Sequence, residues 1–213
     1  MPDVPPVSAL ADVAALWGHA GWLTPPLHPV VPAATPVAGR ARTVRLEVAP
    51  SGPGMAKAFD LLSHDLTGQV VVWVGVAEAA GATWGEILSM AARGQGATAV
   101  LVDGAVRDVD DMTRLGLPVY ASRTAVVGPN GTVHAVEVDG PVDVDGVRIE
   151  AGDTIVVDGS GCIRLRAEHA DELLAAGTTY ADGEGALLAA LAAGEPLTSA
   201  YLHKKRAVDA LRR

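Results

Sequence analysis

The sequence predicts an α/β fold with a β-rich middle and a helical C-terminal tail. Three observations carry this. Helix-spaced apolar residues alternate with short buried runs as far as Ala121, as where "GQVVVWVGVA" precedes "WGEILSMAARGQGATAVLVDG". From Ser122 to Arg166 the texture turns to β, punctuated by Asn130-Gly131 and Asp145-Gly146, two dipeptides that suit hairpin turns. Beyond that point helical patterning returns.

Val7 to Trp17 predicts a first helix, with Leu10, Val13 and Leu16 on one face. The Pro-rich stretch "GWLTPPLHPVVPAATPVAG" predicts an ordered loop or sheet edge. "RARTVRLEVAP" alternates and predicts a strand. Met55, Phe59, Leu62 and Leu66 recur at helical spacing, and "GQVVVWVGVA" predicts a buried strand. The helix from Trp84 then leads into a strand over Thr98 to Asp103. "VDDMTRLG" predicts a short helix stopped by Gly116, and "LPVYA" a short strand. "GDTIVVD" and "GCIRLR" are further strands. Glu168 to Ala176 predicts a helix with Gly177 as its stop. Glu184 to Ala193 and Leu197 to Leu211 follow as a helical tail. The organisation expected is one α/β domain over residues 1–177 and a tail over 178–213 that packs on a neighbouring subunit.

Bulk properties narrow the function. The 213 residues are 49% apolar, enough for one sizeable core. With 16 Lys and Arg against 25 Asp and Glu, the net charge is −9, which disfavours nucleic acid as a partner. The one basic cluster, His203 to Arg206 with Arg212 and Arg213, reads as a solvated helix face. A single cysteine, Cys162, allows no internal disulfide and suits a cytoplasmic location; it reads as a small buried hydrophobe. No signal peptide is visible, and the longest apolar run, Val70 to Ala77, is too short for a membrane span.

Two local patterns carry chemistry. Thr83-Trp84-Gly85-Glu86 has the form of a capping box, with Thr83 as N-cap. The first-turn N–H groups from Gly85 to Leu88 would then attract an anion, although a plain capped helix explains the same residues. At the end of the following strand, the loop presents Arg107, Asp108, Asp110 and Asp111. Arginine matches a carboxylate with a planar fork. An aspartate beside it suits Mg²⁺ or Mn²⁺, which keep most of their waters. Asp111, one turn on, would hold a metal-bound water. The same acids also suit the positive end of the next helix, and spacing leaves both readings open. Together the two patterns fit a 2-oxo acid, with its carboxylate at the helix end and its ketone at a metal and an arginine.

The stretch "WGEILSMAARGQGATAVLVDGAVRDVDDMTRLGLPVYA" closely resembles the RraA-like family, supported by "GRARTV" and "VDGVRIEAGDTIVVDGSG". That family includes class II 4-hydroxy-4-methyl-2-oxoglutarate / 4-carboxy-4-hydroxy-2-oxoadipate aldolases, oxaloacetate decarboxylases and the regulator of ribonuclease E activity. The resemblance implies a layered α/β/α sandwich. Gly85, Glu86, Ile87 and Leu88 match the loop whose amides receive the pyruvyl part of the substrate. Arg107 matches the substrate-binding arginine, Asp108 the ligand of a Mg²⁺ or Mn²⁺ ion, and Asp111 a further acidic position of catalytic members. The resemblance also implies a trimer or hexamer with active sites between subunits. There a C-terminal helix of the neighbour supplies an acidic base; Glu184 is the candidate here, with Asp182 as the alternative. Where the family pattern is DxDGVVVxP, this chain reads Asp158-Gly159-Ser160-Gly161-Cys162-Ile163-Arg164-Leu165-Arg166, without the second acid and the proline. The activity implied is retro-aldol cleavage of a 4-hydroxy-2-oxo acid to pyruvate, with oxaloacetate decarboxylation beside it. The alternatives are a protein-binding regulator and a related enzyme recruited to a specialised pathway.

Overall fold

The structure is a computed structural model that describes residues 4–213. In chain order its first half contains α1 (Val7–Leu16), β1 (His28–Val31), β2 (Val37–Val48), α2 (Ala56–Leu61), β3 (Gln69–Val74), α3 (Glu86–Gly94), β4 (Ala99–Val106) and α4 (Val109–Leu115). The second half contains β5 (Val119–Thr124), β6 (Val133–Val138), β7 (Val142–Val144), β8 (Val147–Ile149), β9 (Thr154–Asp158), β10 (Gly161–Leu165), α5 (Ala170–Ala192) and α6 (Leu197–Leu211).

Four strands, β2, β3, β4 and β5, run parallel and form the centre of the main sheet. The strand order is β1-β5-β4-β3-β2-β9-β10. β1 is antiparallel to β5 and places Pro29 at the sheet edge, where a missing N–H does least harm. The long strand β2 is shared. Its first residues pair with β9, from Val37↔Val157 to Arg40↔Thr154, and its last with β6, from Val44↔Val138 to Val48↔Val133.

The period of two decides the layers. Val70, Val72, Leu101, Tyr120, Ile155 and Val157 turn inward to one core. The small antiparallel hairpin β7–β8 adds Val142, Val144 and Ile149 to it. The intervening residues, among them Val71, Trp73, Val100 and Val102, face outward beneath α2, α3 and α4. On another side, α1 and α5 cover Val156 and Ile163. Each fully buried Val or Ile contributes about 1.5–3 kcal/mol. The result is a layered α/β/α arrangement in which the sheet curls over its own inner core. The Tyr120 hydroxyl marks the curl: it donates to the Asp158 carbonyl at 2.7 Å and accepts from the Ala33 N–H at 3.3 Å.

Several local expectations need correction. α2 is a single short helix in which Phe59 is 52% exposed rather than in the core. β4 does not end at Asp103. It runs to Val106, with an irregularity between Val102 and Ala105, where a side chain on Gly104 would lie 2.8 Å from the Val76 carbonyl. Asn130-Gly131 makes a turn, with the Thr132 N–H donating to the Pro129 carbonyl at 3.1 Å, but no hairpin. The strand after it, β6, pairs with β2. Asp145-Gly146 does join a hairpin, β7–β8. Gly177 does not stop a helix. It lies inside the 23-residue α5, where a Cβ atom would stand 2.7 Å from Cδ2 of Leu10 on α1. The glycine is there because the two helices pass closely.

α6 folds back on α5 within the same chain, with Ala200 buried against Leu187 and Ala190. It returns to α1 at its end, where the Trp17 indole N–H donates to the Leu211 carbonyl at 2.8 Å. Cys162 is buried in β10, as expected, and burial pushes its thiol up to about 12. Among the described residues, no helix is long and apolar enough to cross a membrane.

Candidate active site

The carboxyl end of β4 builds the site. Segment 82–84 runs alongside it: the Thr83 N–H donates to the Ala105 carbonyl and the Arg107 N–H to the Trp84 carbonyl, both at 3.0 Å. Trp84 bridges Val106 in parallel register. Its indole is fixed by a 2.7 Å bond to Ser89 Oγ and by an edge-on contact with Trp73, ring centroids 5.0 Å apart. The chain then turns at Gly85 into α3. Arg107 and Asp108 leave β4 directly opposite that turn.

Gly85 is the contact point. A Cβ there would lie 2.7 Å from Asp108 Oδ2 and 3.0 Å from Arg107 Cγ. The N–H of Glu86 lies 3.4 Å from the same Oδ2, and Arg107 Nε is also 3.4 Å from it. The N-cap position of α3 is therefore Gly85, not Thr83. The capping-box expectation fails because Thr83 is committed to the segment beside β4, two residues too early to turn back over the helix. Its side chain is buried instead, with a hydroxyl that has no hydrogen-bond partner.

Asp108 also departs from a simple cap. It sits at the start of α4 with φ of 57°, a left-handed conformation that aspartate tolerates better than most residues. Its carboxylate makes no capping bond to α4 and turns instead toward α3. Asp110 and Asp111 lie in the first turn of α4, where the helix end favours acids, while the Asp108 side chain is free of its own helix.

These residues line a cavity of about 360 Å³. Its polar groups are Thr83, Arg107 and Asp108; its apolar wall comes from Met55 and Phe59, Ile87 and Leu88, Pro129 and Val133. Arg107 and Asp108 are half-exposed, at 43% and 38%. Gly85, Ile87 and Leu88 lie at the cavity, while Glu86 contributes its N–H to Asp108 rather than its side chain to the wall. Asp111 is paired with Arg114 on α4 and does not line the cavity. Glu184 is on α5, bonded to Lys204 of α6 at 2.7 Å, and is absent from the cavity of its own chain.

Reasoning from sequence missed Thr83, Met55 and Phe59 as site residues. The helical spacing of Met55 and Phe59 pointed to the core, although the chain's one phenylalanine proves half-exposed. Among the described residues no group of three or more His, Cys, Asp or Glu is gathered. A site for zinc or for a fully protein-caged ion does not fit. One exposed carboxylate oxygen set, with room for water, fits a Mg²⁺-like ion that keeps its hydration shell.

Comparison with known proteins identifies the family to which this α/β chain belongs. The RraA-like model, described as Aldolase/RraA, matches residues 7–164. The chain belongs to the RraA-like family, which holds both aldolases and ribonuclease E inhibitors. It is 31% identical over 140 residues to an uncharacterized protein of Methanocaldococcus jannaschii, covering 65% of this chain and 64% of that one. It is 26% identical over 117 residues to the protein DlpA of Legionella pneumophila, covering 55% of this chain and 19% of that one. The chain thus spans less than two thirds of either curated relative. An uncharacterized Pseudomonas syringae protein shares the fold with a TM-score of 0.81 at 24% identity, covering 92% of each chain. The RNA-processing inhibitor RraA from Thermus thermophilis superposes with a TM-score of 0.57 at 26% identity, over 73% of this chain and 91% of that one.

Proposed function

We propose that this protein is a divalent-metal-dependent lyase that cleaves a 4-hydroxy-2-oxo acid to pyruvate and decarboxylates oxaloacetate. One observation carries the reading: Arg107 and Asp108 emerge together from β4 against the glycine that opens α3, and all three line one cavity. The free first-turn N–H groups of α3, at Ile87 and Leu88, would receive the substrate carboxylate. Arg107 would donate to the oxygen that gains charge as the C–C bond breaks. Thr83, with an unpartnered hydroxyl at the cavity, would donate to or accept from a polar substrate atom. Asp108 would hold Mg²⁺ or Mn²⁺ through its carboxylate, and such an ion polarises a keto oxygen and lowers the pKa of its water.

The base is proposed to come from a second copy of this chain in a trimer or hexamer, with Glu184 as the candidate. Apolar surface at the cavity supports an assembly: Phe59 and Ile87, which line it, are 52% and 75% exposed, and Met90, further along α3, is 55% exposed. Glu184 would first have to leave Lys204. Asp111 would act only after release from Arg114.

The test is pyruvate release from oxaloacetate and from 4-hydroxy-4-methyl-2-oxoglutarate, with Mg²⁺ and then with EDTA. Mg²⁺-dependent pyruvate, lost in Asp108→Asn, supports the lyase. Pyruvate formation unaltered by EDTA or by that substitution sinks it.

The likeness to the Thermus inhibitor favours a second reading, a protein-binding regulator of an RNA-processing enzyme. A stoichiometric complex with such an enzyme, together with no pyruvate from either substrate, would put this reading first.

A further inference from the structure

The segment that departs from the family pattern places two arginines where that pattern has an apolar residue and a proline, Arg164 and Arg166. Both line a second cavity of about 190 Å³ that shares no residue with the Arg107–Asp108 cavity. It opens between the end of α1, the end of β10 and the start of α5. His19 and His169 both line it and lie against each other, ring centroids 4.7 Å apart and tilted by 37°.

Arg164 is the most informative of these groups. Its side chain is only 8% exposed, and its Nε has no hydrogen-bond partner. One terminal nitrogen reaches the Ala20 carbonyl, itself in the cavity wall, at 3.4 Å. An unpaired guanidinium N–H in a buried place is expensive unless something accepts from it. Asp153 is the ion-pair partner of Arg164, with Oδ2 4.0 Å from Nε and both side chains 8% exposed; that distance is too long for a hydrogen bond, and the Asp153 oxygens also accept the N–H groups of Glu150 and Ala167. Glu168 stands 3.7 Å from exposed Arg166. The carbonyls that end α1 are occupied by its own chain: Gly18 donates to Ala15 and His19 to Ala14. The 23-residue helix α5 begins at Ala170 and presents its positive end at this side.

We propose that this cavity binds a phosphate-type oxyanion, free or as the phosphoryl group of a small molecule. Arg164 and Arg166 would supply guanidinium donors, and His19 and His169 imidazole donors. Burial first, then His169, Arg213, Arg164 and Arg166, hold the His19 imidazole below its ordinary range. Each of these arginines also has an acid beside it, Glu172, Asp153 and Glu168 in turn. An anion would reverse that effect and favour the protonated ring. The site is independent of the lyase reading.

The test uses the whole chain. Inorganic phosphate is titrated in while the imidazole resonances of His19 and His169 are followed, with chloride at matched ionic strength as the control. A saturable shift of both rings with phosphate but not chloride is expected. Arg166→Gln and His169→Gln, at exposed and half-exposed positions that leave the fold intact, should each weaken binding by about tenfold or more. Glycerol phosphate in place of inorganic phosphate separates the sources: tighter binding points to a phosphorylated small molecule, weaker binding to the free ion. Shifts that follow ionic strength alone, or a phosphate response unchanged in both variants, would overturn the proposal.

Discussion

The Asp108 carboxylate faces the N–H of Glu86, 3.4 Å away across the chain, and makes no capping bond to the helix it begins. A side chain placed at the head of one helix is thus presented to the head of another. Its loss should harm chemistry far more than folding. Asp108→Asn keeps the left-handed backbone comfortable, so thermal unfolding should shift by less than about 1 kcal/mol in stability. Pyruvate release should fall by about a hundredfold or more, since the carboxylate is the proposed metal ligand. Calorimetry and a coupled pyruvate assay on the same preparation check both halves.

Gly85→Ala tests the close approach. The added carbon would press on Asp108 Oδ2 and on Arg107 Cγ, both half-exposed side chains able to move. The expected result is a folded protein with unchanged circular dichroism and a kcat/KM lower by roughly a hundredfold, the cost of a displacement near 1 Å. Full activity in this variant would show that the pair need not sit where it does.

Thr83→Val separates binding from stability. The buried hydroxyl has no partner, so a methyl of similar shape should leave stability equal or raise it by about 1 kcal/mol. If the hydroxyl meets the substrate, KM should rise about tenfold. A variant that is destabilised and binds normally would make Thr83 a structural residue only.

Cys162 gives a pH prediction. Burial lifts its thiol from 9.0 to about 12, so the folded chain holds this proton more tightly than the unfolded chain does. The associated stability is fully present below the unfolded value and is lost as pH rises through the folded one, across about pH 9 to 12. At pH 8 the thiol should react with an alkylating reagent only as fast as the chain opens. Rapid modification of folded protein, with a rate insensitive to urea, would contradict its burial.

Much of this fold was legible because its strands are short apolar runs with turn dipeptides around them. Val70 to Val74 and Ile155 to Val157 face both an inner and an outer core, and short β-branched runs flanked by Gly suit buried strands better than helices. What could not be read was set by partners distant in sequence. Gly177 looks like a helix stop until Leu10 is known to lie against it. Asn130-Gly131 looks like a hairpin until β6 is seen to choose β2 over β5. At the candidate site, adjacency singled out Arg107 and Asp108 and the family resemblance supplied their expected roles; both line the cavity. Thr83 was not singled out, because its role as a wall residue depends on segment 82–84 running beside β4.

The shared strand β2 has a consequence for how the chain is born. Its partner β3 follows soon after, but Val44 waits for Val138, and Ala38 waits for Val156. Until the ribosome has released residues past Val157, one rim of the strand holds N–H and C=O groups with nothing to pair. Folding should therefore be slow and late, governed by contacts far apart in the chain. A product truncated before β9 would carry an open rim that recruits other chains, and it should precipitate rather than fold.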